Sequence, residues 1–317
     1  MKSFRQEGLT LIELLVALAV STAVALVAVS ALSVSRQGFS SVDAASQLRD
    51  NARFAVEMIQ RIGVQAGYKD ISYAATPRPT GVTGVSANPD PAVFGFNNAV
   101  PVTADPSHFS TARSTEPGFG SDVLVLRYQS PETFPGSGVT DQSVIDCLGQ
   151  PAAPAAVPKD RDSVMTSVLH VALNKGEPTL MCTTVSSTLD VSAARPIVAG
   201  VENFQVLYGV DGVTPGAKPT LPVDSIADSY LRADQLTVPA DPVATNENWR
   251  RVRSLRIGMV LRGGPGSAAT RTAETFYPLN KAMGSAADTG SNFVAPVDGR
   301  LRHVVTFTVH LRNDQGL

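Results

Sequence analysis

Hydrophobic residues near the start of the chain form two consecutive patterns. From Leu14 to Ser35 no residue is charged, and Leu, Val and Ala dominate the segment. About 20 apolar residues cross the hydrocarbon core of a bilayer as a helix, so this segment is long enough to span a membrane. Between residues 36 and 63 the apolar positions recur at steps of three and four, which is typical of an amphipathic helix. Together the patterns predict one helix from about Thr10 to Ile62, on the order of 80 Å long.

The second half of this helix has one apolar face and no strong helix breaker. Gly38 is its weakest point, because glycine lowers helix stability. The first proline is Pro77, so nothing forces the helix to end earlier. The apolar face consists of Phe39, Val42, Ala45, Leu48, Ala52, Val56, Ile59 and Ile62.

The flanks and the length of the apolar segment indicate a membrane helix that is retained in the mature protein. Lys2 and Arg5 precede the segment and Arg36 follows it. Positive charge before a span favours the cytoplasmic side, so the chain from about residue 36 onward is expected outside the cytoplasm. A secretory signal peptide is the alternative, but its apolar region is only roughly 7–15 residues long and ends at a cleavage site. Here the apolar region is longer, and the helical pattern continues beyond it.

Glu13 is the residue that does not fit an ordinary membrane anchor. It directly precedes the uncharged segment and follows the apolar residues Leu11 and Ile12. A carboxylate at membrane depth costs several kcal/mol, which makes it a candidate functional site whose partner has to be identified. The alternative is that Glu13 lies near the membrane surface and is simply solvated.

The rest of the chain has the pattern of a β-rich head. Residues 72–120 are rich in Pro, Gly, Ser, Thr and Asn, which predicts a loop-dominated connection with few regular elements. Five strands are predicted after it: Asp122 to Tyr128, Val164 to Leu173, Val201 to Val210, Arg251 to Leu261 and Leu301 to Arg312. The expected inward positions are Met165, Leu169, Val171 and Leu173, then Phe204, Val206, Tyr208 and Val210, and last Val305, Phe307, Val309 and Leu311, with Thr306, Thr308 and Arg312 facing out. The fold class is therefore α+β, with a long helical spine followed by a largely antiparallel β head.

Composition excludes several classes of protein. Hydrophobic residues make up 43% and charged residues 17% of the 317 positions, and the formal net charge is -2. These values exclude a highly charged disordered chain and a generally basic nucleic-acid binder. The mean hydropathy is only +0.06, and the membrane-length apolar character lies at one end, which excludes a polytopic membrane protein.

The two cysteines, Cys147 and Cys182, are expected to form a disulfide. Disulfides persist in proteins outside the cytoplasm, where this head is expected to lie. A bond that closes a loop of this length contributes on the order of 3–4 kcal/mol in the chain-entropy model. Free thiols and metal ligation are the alternatives, although no histidine lies close in sequence to either cysteine.

No catalytic motif is present, so we expect neither enzymatic activity nor a cofactor or metal. The chain lacks a nucleophile elbow, a phosphate-binding glycine loop and a His-Glu-x-x-His motif. Its histidines, His108, His170, His303 and His310, are scattered, and His170 and His303 fit core or edge positions of strands. The segment from Tyr208 to Gly212 fits a turn after a strand better than a calcium loop, because it lacks the repeated acidic ligands.

A cluster of arginines is the one candidate for binding DNA. Alternation along a strand sends Arg251 and Arg253 to one face and Arg250, Arg256 and Arg262 to the other. A divided cluster is a poor electrostatic footprint for nucleic acid. We therefore expect these arginines to be solvated and to face other subunits, with no direct contact to nucleic acid.

The start of the chain resembles a known processing signal. After the charged leader Met1 to Glu7 the chain reads Gly8-Leu9-Thr10-Leu11-Ile12-Glu13-Leu14. This string resembles the type III signal sequence of type IV pilins and type II secretion pseudopilins. The resemblance implies that a prepilin peptidase cleaves between Gly8 and Leu9 and methylates Leu9, where the family more often has Phe. It also implies that Glu13, the fifth mature residue, pairs with the N-terminal amine of a neighbouring subunit and sets subunit registry.

Further segments resemble the PilW minor-pilin family. They are Arg53 to Glu57, Gln65 to Tyr68, Asp146 to Gly149, Val201 to Asp211 and Leu311 to Asn313. The resemblance implies a pilin-like organisation with a leader at 1–8, a helix at 9–63 that is transmembrane over about 14–35 and amphipathic over 36–63, and an extracytoplasmic head at 64–317.

The implied function is structural. A protein of this kind is a minor pilin that takes part in initiating type IV pilus assembly and sits in the pilus or at its tip. Its expected partners are the prepilin peptidase, other minor and major pilins, and the inner-membrane assembly platform. It is expected in the bacterial inner membrane, with one span and a periplasmic head, and later in the surface pilus. The alternatives are a pseudopilin J-like subunit of a type II secretion filament and a tip adhesin or DNA-binding subunit.

Overall fold

The computed structural model describes residues 10–73, 88–114, 117–158, 160, 162–220, 222–268 and 272–313. Within these ranges it contains a helix α1 at Leu11–Gln65 and two short helices, α2 at Ala233–Leu236 and α3 at Pro242–Trp249. The strands are β1 Val93–Phe96, β2 Ala99–Pro101, β3 Ser110–Ala112, β4 Val123–Tyr128, β5 Met165–Asn174, β6 Glu177–Val185, β7 Arg195–Ala199, β8 Val201–Val210, β9 Ser229–Leu231, β10 Val252–Arg262, β11 Thr275–Phe276, β12 Phe293–Val294 and β13 Arg302–His310. This is the expected α+β architecture.

Helix α1 is continuous over 55 residues and is about 80 Å long. It passes through Gly38 without a break and ends three residues beyond the predicted Ile62. It ends where Ala66 adopts an extended conformation and donates its N–H to the carbonyl of Gly63. Gly67 then takes a φ of 78°, a left-handed conformation that glycine adopts without strain.

Two antiparallel sheets build the head. The first has the strand order β1-β4-β5-β6-β7, and the second has the order β13-β10-β8-β9. The two sheets meet where the N–H of Asp122, before β4, donates to the carbonyl of Phe204 on β8 at 2.8 Å. Helix α1 packs mainly against β13 and β7, the outermost strands of the two sheets. The helix therefore fills the gap between the two sheets.

One large core joins the helix to both sheets. Its helical members run from Leu48 to Ile62 along one face of α1, and Ala66 follows just after the helix. Phe39 and Val42 of the predicted face remain 75% and 71% exposed. The strands contribute the expected inward residues Phe204, Val206, Tyr208 and Val210 from β8, together with Leu169, Val171 and Val309. Leu173 is an exception, since it lies next to the β5–β6 turn and is 52% exposed.

A smaller core covers the other face of the first sheet. It is built from Ala99, Val123, Val125 and Val168, with partly buried phenylalanines packed against it. The hairpin of β2 and β3 belongs to the segment that we expected to be loop-dominated, as does β1. This hairpin, together with the pairing of β1 with β4, gives the segment more regular structure than its proline-rich composition indicates.

Candidate assembly site

The N-terminal end of α1 is closed by a reciprocal cap between Thr10 and Glu13. The backbone N–H and the hydroxyl of Thr10 both donate to Oε2 of Glu13 at 2.9 Å, and the N–H of Glu13 donates to Oγ1 of Thr10 at 3.4 Å. Such a capping box satisfies free N–H groups at a helix start. Oε1 of Glu13 accepts no hydrogen bond from the described residues, so this oxygen is available to a partner. The predicted processing residues Gly8 and Leu9 lie outside the described residues.

Below the head, helix α1 presents an uninterrupted apolar surface. The hydroxyls of Ser21, Thr22, Ser30 and Ser33 donate to carbonyls one turn earlier on the same helix, at 2.7–3.0 Å. Their polarity is therefore satisfied within the helix. In the described part of the chain, α1 is the helix that is long and apolar enough to cross a membrane, and its most apolar stretch has no buried residue. At its N-terminal end, this apolar surface is bordered by the charged side chain of Glu13.

The upper end of α1 is where the segments that resemble PilW come together. The side-chain amide of Gln65 donates to the carbonyl of Ile145 and accepts from its N–H, both at 3.0 Å. Asn313 donates from Nδ2 to the carbonyls of Val64 and Ala66 at 3.1 and 3.0 Å. Asn313 thus satisfies two carbonyls at the helix end, while the loop at Ile145 binds the side chain of Gln65, and both contacts hold the helix against the head.

A disulfide joins Cys147 to Cys182, with 5.9 Å between the two Cα atoms. Both cysteines are fully buried in the large core. Cys182 lies on β6, and Cys147 lies in the loop that Ile145 connects to the helix end. The bond therefore ties this loop to the first sheet and supports the helix end indirectly.

The arginine cluster is used inside the head, so the expectation of solvated, subunit-facing arginines is wrong for the members with clear partners. Arg262 donates to Glu177 at 2.7 Å and to Glu202 at 3.1 Å, and Nε of Arg253 lies 3.5 Å from Asp211. These two arginine side chains are only about 15% exposed. The charges of Arg253 and Arg262 are therefore paired within the head and do not form a basic patch on its surface.

The ion pairs of Arg262 belong to a larger network that sequence reasoning missed. Nε of Arg302 donates to Glu202 at 2.6 Å, and Arg302 and Glu202 are each only 5% exposed. Arg300 pairs with Glu177 at 3.1 Å, while Asp298 also contacts Arg302 at 2.9 Å. Burial acts to lower the pKa of Arg302, but the hydrogen bonds of Glu202 and Asp298 outweigh it and raise that pKa. The network joins β6, β8, β10 and β13, and it lies beside Ala44 and Leu48, at the end of the head nearer to the membrane helix.

The histidines have separate environments. His170 is buried, and burial together with the nearby charge of Arg113 lowers its pKa to about 4. His108 lies between Asp90 and Asp105, at 2.7 and 2.9 Å, and the hydrogen bond to Asp90 raises its pKa despite partial burial. Across the described ranges, no group of three or more His, Cys, Asp or Glu side chains is placed to hold a metal ion.

Two family models match the chain, one at each end. The model of a prokaryotic N-terminal methylation motif matches residues 3–29. The model of the type IV pilus-assembly protein W, PilW, matches residues 168–313. The chain therefore begins with a methylation motif of the type IV pilin-like proteins, and residues 168–313 of its head match the PilW family. These families are structural pilins, and the motif implies processing by a prepilin peptidase and association with other pilins.

The chain is also similar to a solved structure. A type IV-like pilin from Thermus thermophilus is 13% identical and aligns with a TM-score of 0.39, over 85% of this chain and 98% of its own. The search of curated proteins found no match. The methylation motif and the apolar first half of α1 indicate that this pilin is anchored in a membrane.

Proposed function

We propose that this pilin-like protein is a minor pilin that takes part in initiating type IV pilus assembly and sits at or near the pilus tip. The observation that carries the proposal is Glu13, an oriented carboxylate at the start of an exposed apolar helix. The match of the head to PilW supports a pilus role over the alternative role in a secretion filament.

The apolar half of α1 serves two environments in succession. Before assembly it holds the subunit in the inner membrane, and the positive leader residues Lys2 and Arg5 support a cytoplasmic N-terminus and a periplasmic head. After cleavage it leaves the lipid and packs among the helices of the filament. Both environments are apolar, so the transfer exposes little hydrophobic surface to water.

Glu13 supplies the registry between subunits. Cleavage after Gly8 creates an α-amino cation on Leu9, and a neighbouring Glu13 offsets the cost of placing both charges in apolar surroundings. The Thr10 cap holds Oε2, and Oε1 remains open to the amine of the next subunit. A subunit that is displaced along the filament axis leaves both charges unpaired, so correct registry is favoured.

Deletion of the coding sequence, followed by counts of surface pili, tests this proposal. We expect few or no surface pili in the deletion strain, and wild-type numbers after complementation with the full chain. Normal piliation in the deletion strain would contradict a role in initiating assembly. Normal piliation combined with a loss of adhesion or DNA uptake would support the tip-adhesin alternative.

A further inference from the structure

The outer edge of β13 is an unpaired strand edge. Within the described ranges, β13 is the first strand of the second sheet and pairs only with β10, over nine residues from Arg302 to His310. An edge strand has backbone N–H and C=O groups without a partner along one side, and it can add a strand from another chain.

Two hydrogen bonds identify which residues of β13 direct their backbone N–H and C=O groups away from β10. The N–H of Gly263 donates to Leu301, and the N–H of Leu311 donates to Arg253, so the odd-numbered residues at both ends of the strand bond to β10. In an antiparallel pair the residues between them point their N–H and C=O groups away. The outward groups at the centre are those of Val304, Thr306 and Thr308. No described residue forms a backbone hydrogen bond with them on that side.

These outward residues are accessible. Thr306 is exposed, and Val304 and Thr308 are half-buried. The hydroxyl of Thr306 donates to the carbonyl of Pro278 at 2.6 Å, on the outer face of the sheet. That bond uses the side chain and leaves the backbone of Thr306 free.

β13 also lacks the features that protect other edges of this head. The opposite outer strand, β7, begins with the exposed Arg195 and with Pro196, and an exposed charge or a proline disfavours strand addition. β13 also begins with an arginine, but the side chain of Arg302 is only 5% exposed and is paired with Glu202. The outer strands β1 and β9 have only four and three residues. Between Arg302 and His310 the edge contains no Asp, Glu, Lys, Arg or Pro. Among the described strands, β13 therefore combines length with an unprotected edge.

The direction of β13 decides what can cover it. Arg300, just before β13, lines the same cavity as Ala44 and Leu48, while Val309 near the end of β13 contacts Gly63. β13 thus runs in the same direction as α1. A two-fold pairing of two copies through Thr306 would satisfy the outward groups, but it would point the two α1 helices in opposite directions. The two apolar half-helices could then not enter one membrane or one filament core.

We propose that the edge of β13 binds an extended segment of a neighbouring pilin subunit of different sequence, which adds a strand to the second sheet. The added strand has uncharged, β-branched residues opposite Val304, Thr306 and Thr308. An acidic residue beyond its end faces the exposed His310 and Arg312. This inference rests on the proposed pilin function and names the contact through which the head meets its neighbour.

A backbone-specific substitution tests the contact. Thr308→Pro removes an outward N–H without removing a bond to β10, and edge strands tolerate proline at such positions. Thr308→Val is the matched control, because it keeps the N–H and the shape of the side chain. We expect surface pili to fall by about two- to tenfold in Thr308→Pro, the loss expected for one backbone hydrogen bond, and to stay at wild-type numbers in Thr308→Val.

Failure of this contact is distinguishable from failure of the proposed function. If the deletion strain lacks pili but Thr308→Pro complements it fully, the strand-addition proposal is wrong and the minor-pilin function stands. If the deletion strain has normal pili, the function itself is wrong. Formation of the Cys147–Cys182 disulfide and resistance of the head to protease report whether the Thr308→Pro variant is folded.

A photo-crosslinking amino acid in the full chain provides a second measurement that does not depend on this variant. Placed at Val304 in piliated cells, it should form an adduct with another pilin subunit, mapped by mass spectrometry to an extended segment of that subunit. Placed at the exposed Arg195 of β7, it should not. Equal adducts at both positions, no adduct at Val304, or an adduct with a second copy of this chain would each overturn the proposal.

Discussion

Gly63 of helix α1 and Val309 of strand β13 approach so closely that the helix has no room for a side chain between them. A Cβ atom on Gly63 would lie 2.8 Å from Cγ1 of Val309, and Val309 is buried. Valine is branched at Cβ and cannot easily rotate away. The absence of a side chain on Gly63 therefore sets how closely the spine approaches the outermost strand of the second sheet.

Replacing Gly63 with alanine is expected to destabilise the head. Alanine favours a helix over glycine by about 1 kcal/mol, but overpacking of a buried contact costs about 1–3 kcal/mol. Gly38→Ala is the control, since nothing lies within 4 Å of its added Cβ, and it should be neutral or stabilising. Chemical denaturation of the full chain in detergent measures both. Equal effects of the two substitutions would disprove the close contact, whereas partial rescue by Val309→Ala would support it.

Of the ion pairs in the charge network, the pair between Glu202 and Arg302 should contribute most to the free energy of unfolding. Arg302→Met leaves Glu202, which is 5% exposed, without its strongest partner, and breaking a buried pair costs about 3–5 kcal/mol. Arg300→Met is the control, because its partner Glu177 is 40% exposed, and pairs near the surface contribute roughly 0–1 kcal/mol. The free energy of unfolding compares the two variants. If both variants lose a similar amount of unfolding free energy, burial does not determine the strength of the pair between Glu202 and Arg302.

Much of the architecture could be predicted because its signals are local. The uncharged run of α1 and the alternation in β8 and β13 are visible within short segments. β6 was missed because seven of its nine residues are buried, so its two faces do not alternate. Alternation alone predicts that Leu173 faces inward, yet the core of the sheet ends before the β5–β6 turn.

The candidate site also has parts that the local sequence predicts and parts that it does not. The motif around Glu13 is contiguous, and the spacing of Thr10 and Glu13 is itself a cap signature that could have predicted their hydrogen bonds. The partners of the arginines could not be read locally, because Glu202 is 60 residues from Arg262 and 100 from Arg302. The open edge of β13 depends on the strand order of the whole sheet.

The buried imidazole of His170 makes the stability of the head depend on pH. Its pKa is about 4 in the folded chain and about 6.5 when unfolded. Between these values the unfolded chain binds a proton that the folded chain excludes, so stability falls as pH decreases from about 6.5 to about 4. The contribution is about 3 kcal/mol.

His170→Gln removes this titration and keeps a polar side chain at the site. We expect the difference in unfolding free energy between wild type and His170→Gln to change by about 2–3 kcal/mol between pH 7 and pH 4.5, to the disadvantage of wild type. Other acid-sensitive groups, including the Asp–Arg and Glu–Arg pairs, are common to both proteins and cancel in this difference. A difference that stays constant over this range would show that His170 titrates normally in the folded chain.

Two substitutions at Glu13 separate its charge from its role as a helix cap. Glutamine at this position still caps Thr10 but carries no charge, whereas alanine loses both functions. If the charge sets registry with the amine of a neighbour, Glu13→Gln and Glu13→Ala both block incorporation into pili. N-terminal sequencing should find methylated Leu9 as the first residue of the wild-type protein, and a start at Leu9 in both variants. Normal piliation with Glu13→Gln and none with Glu13→Ala would mean that the cap, and not the charge, is what assembly requires.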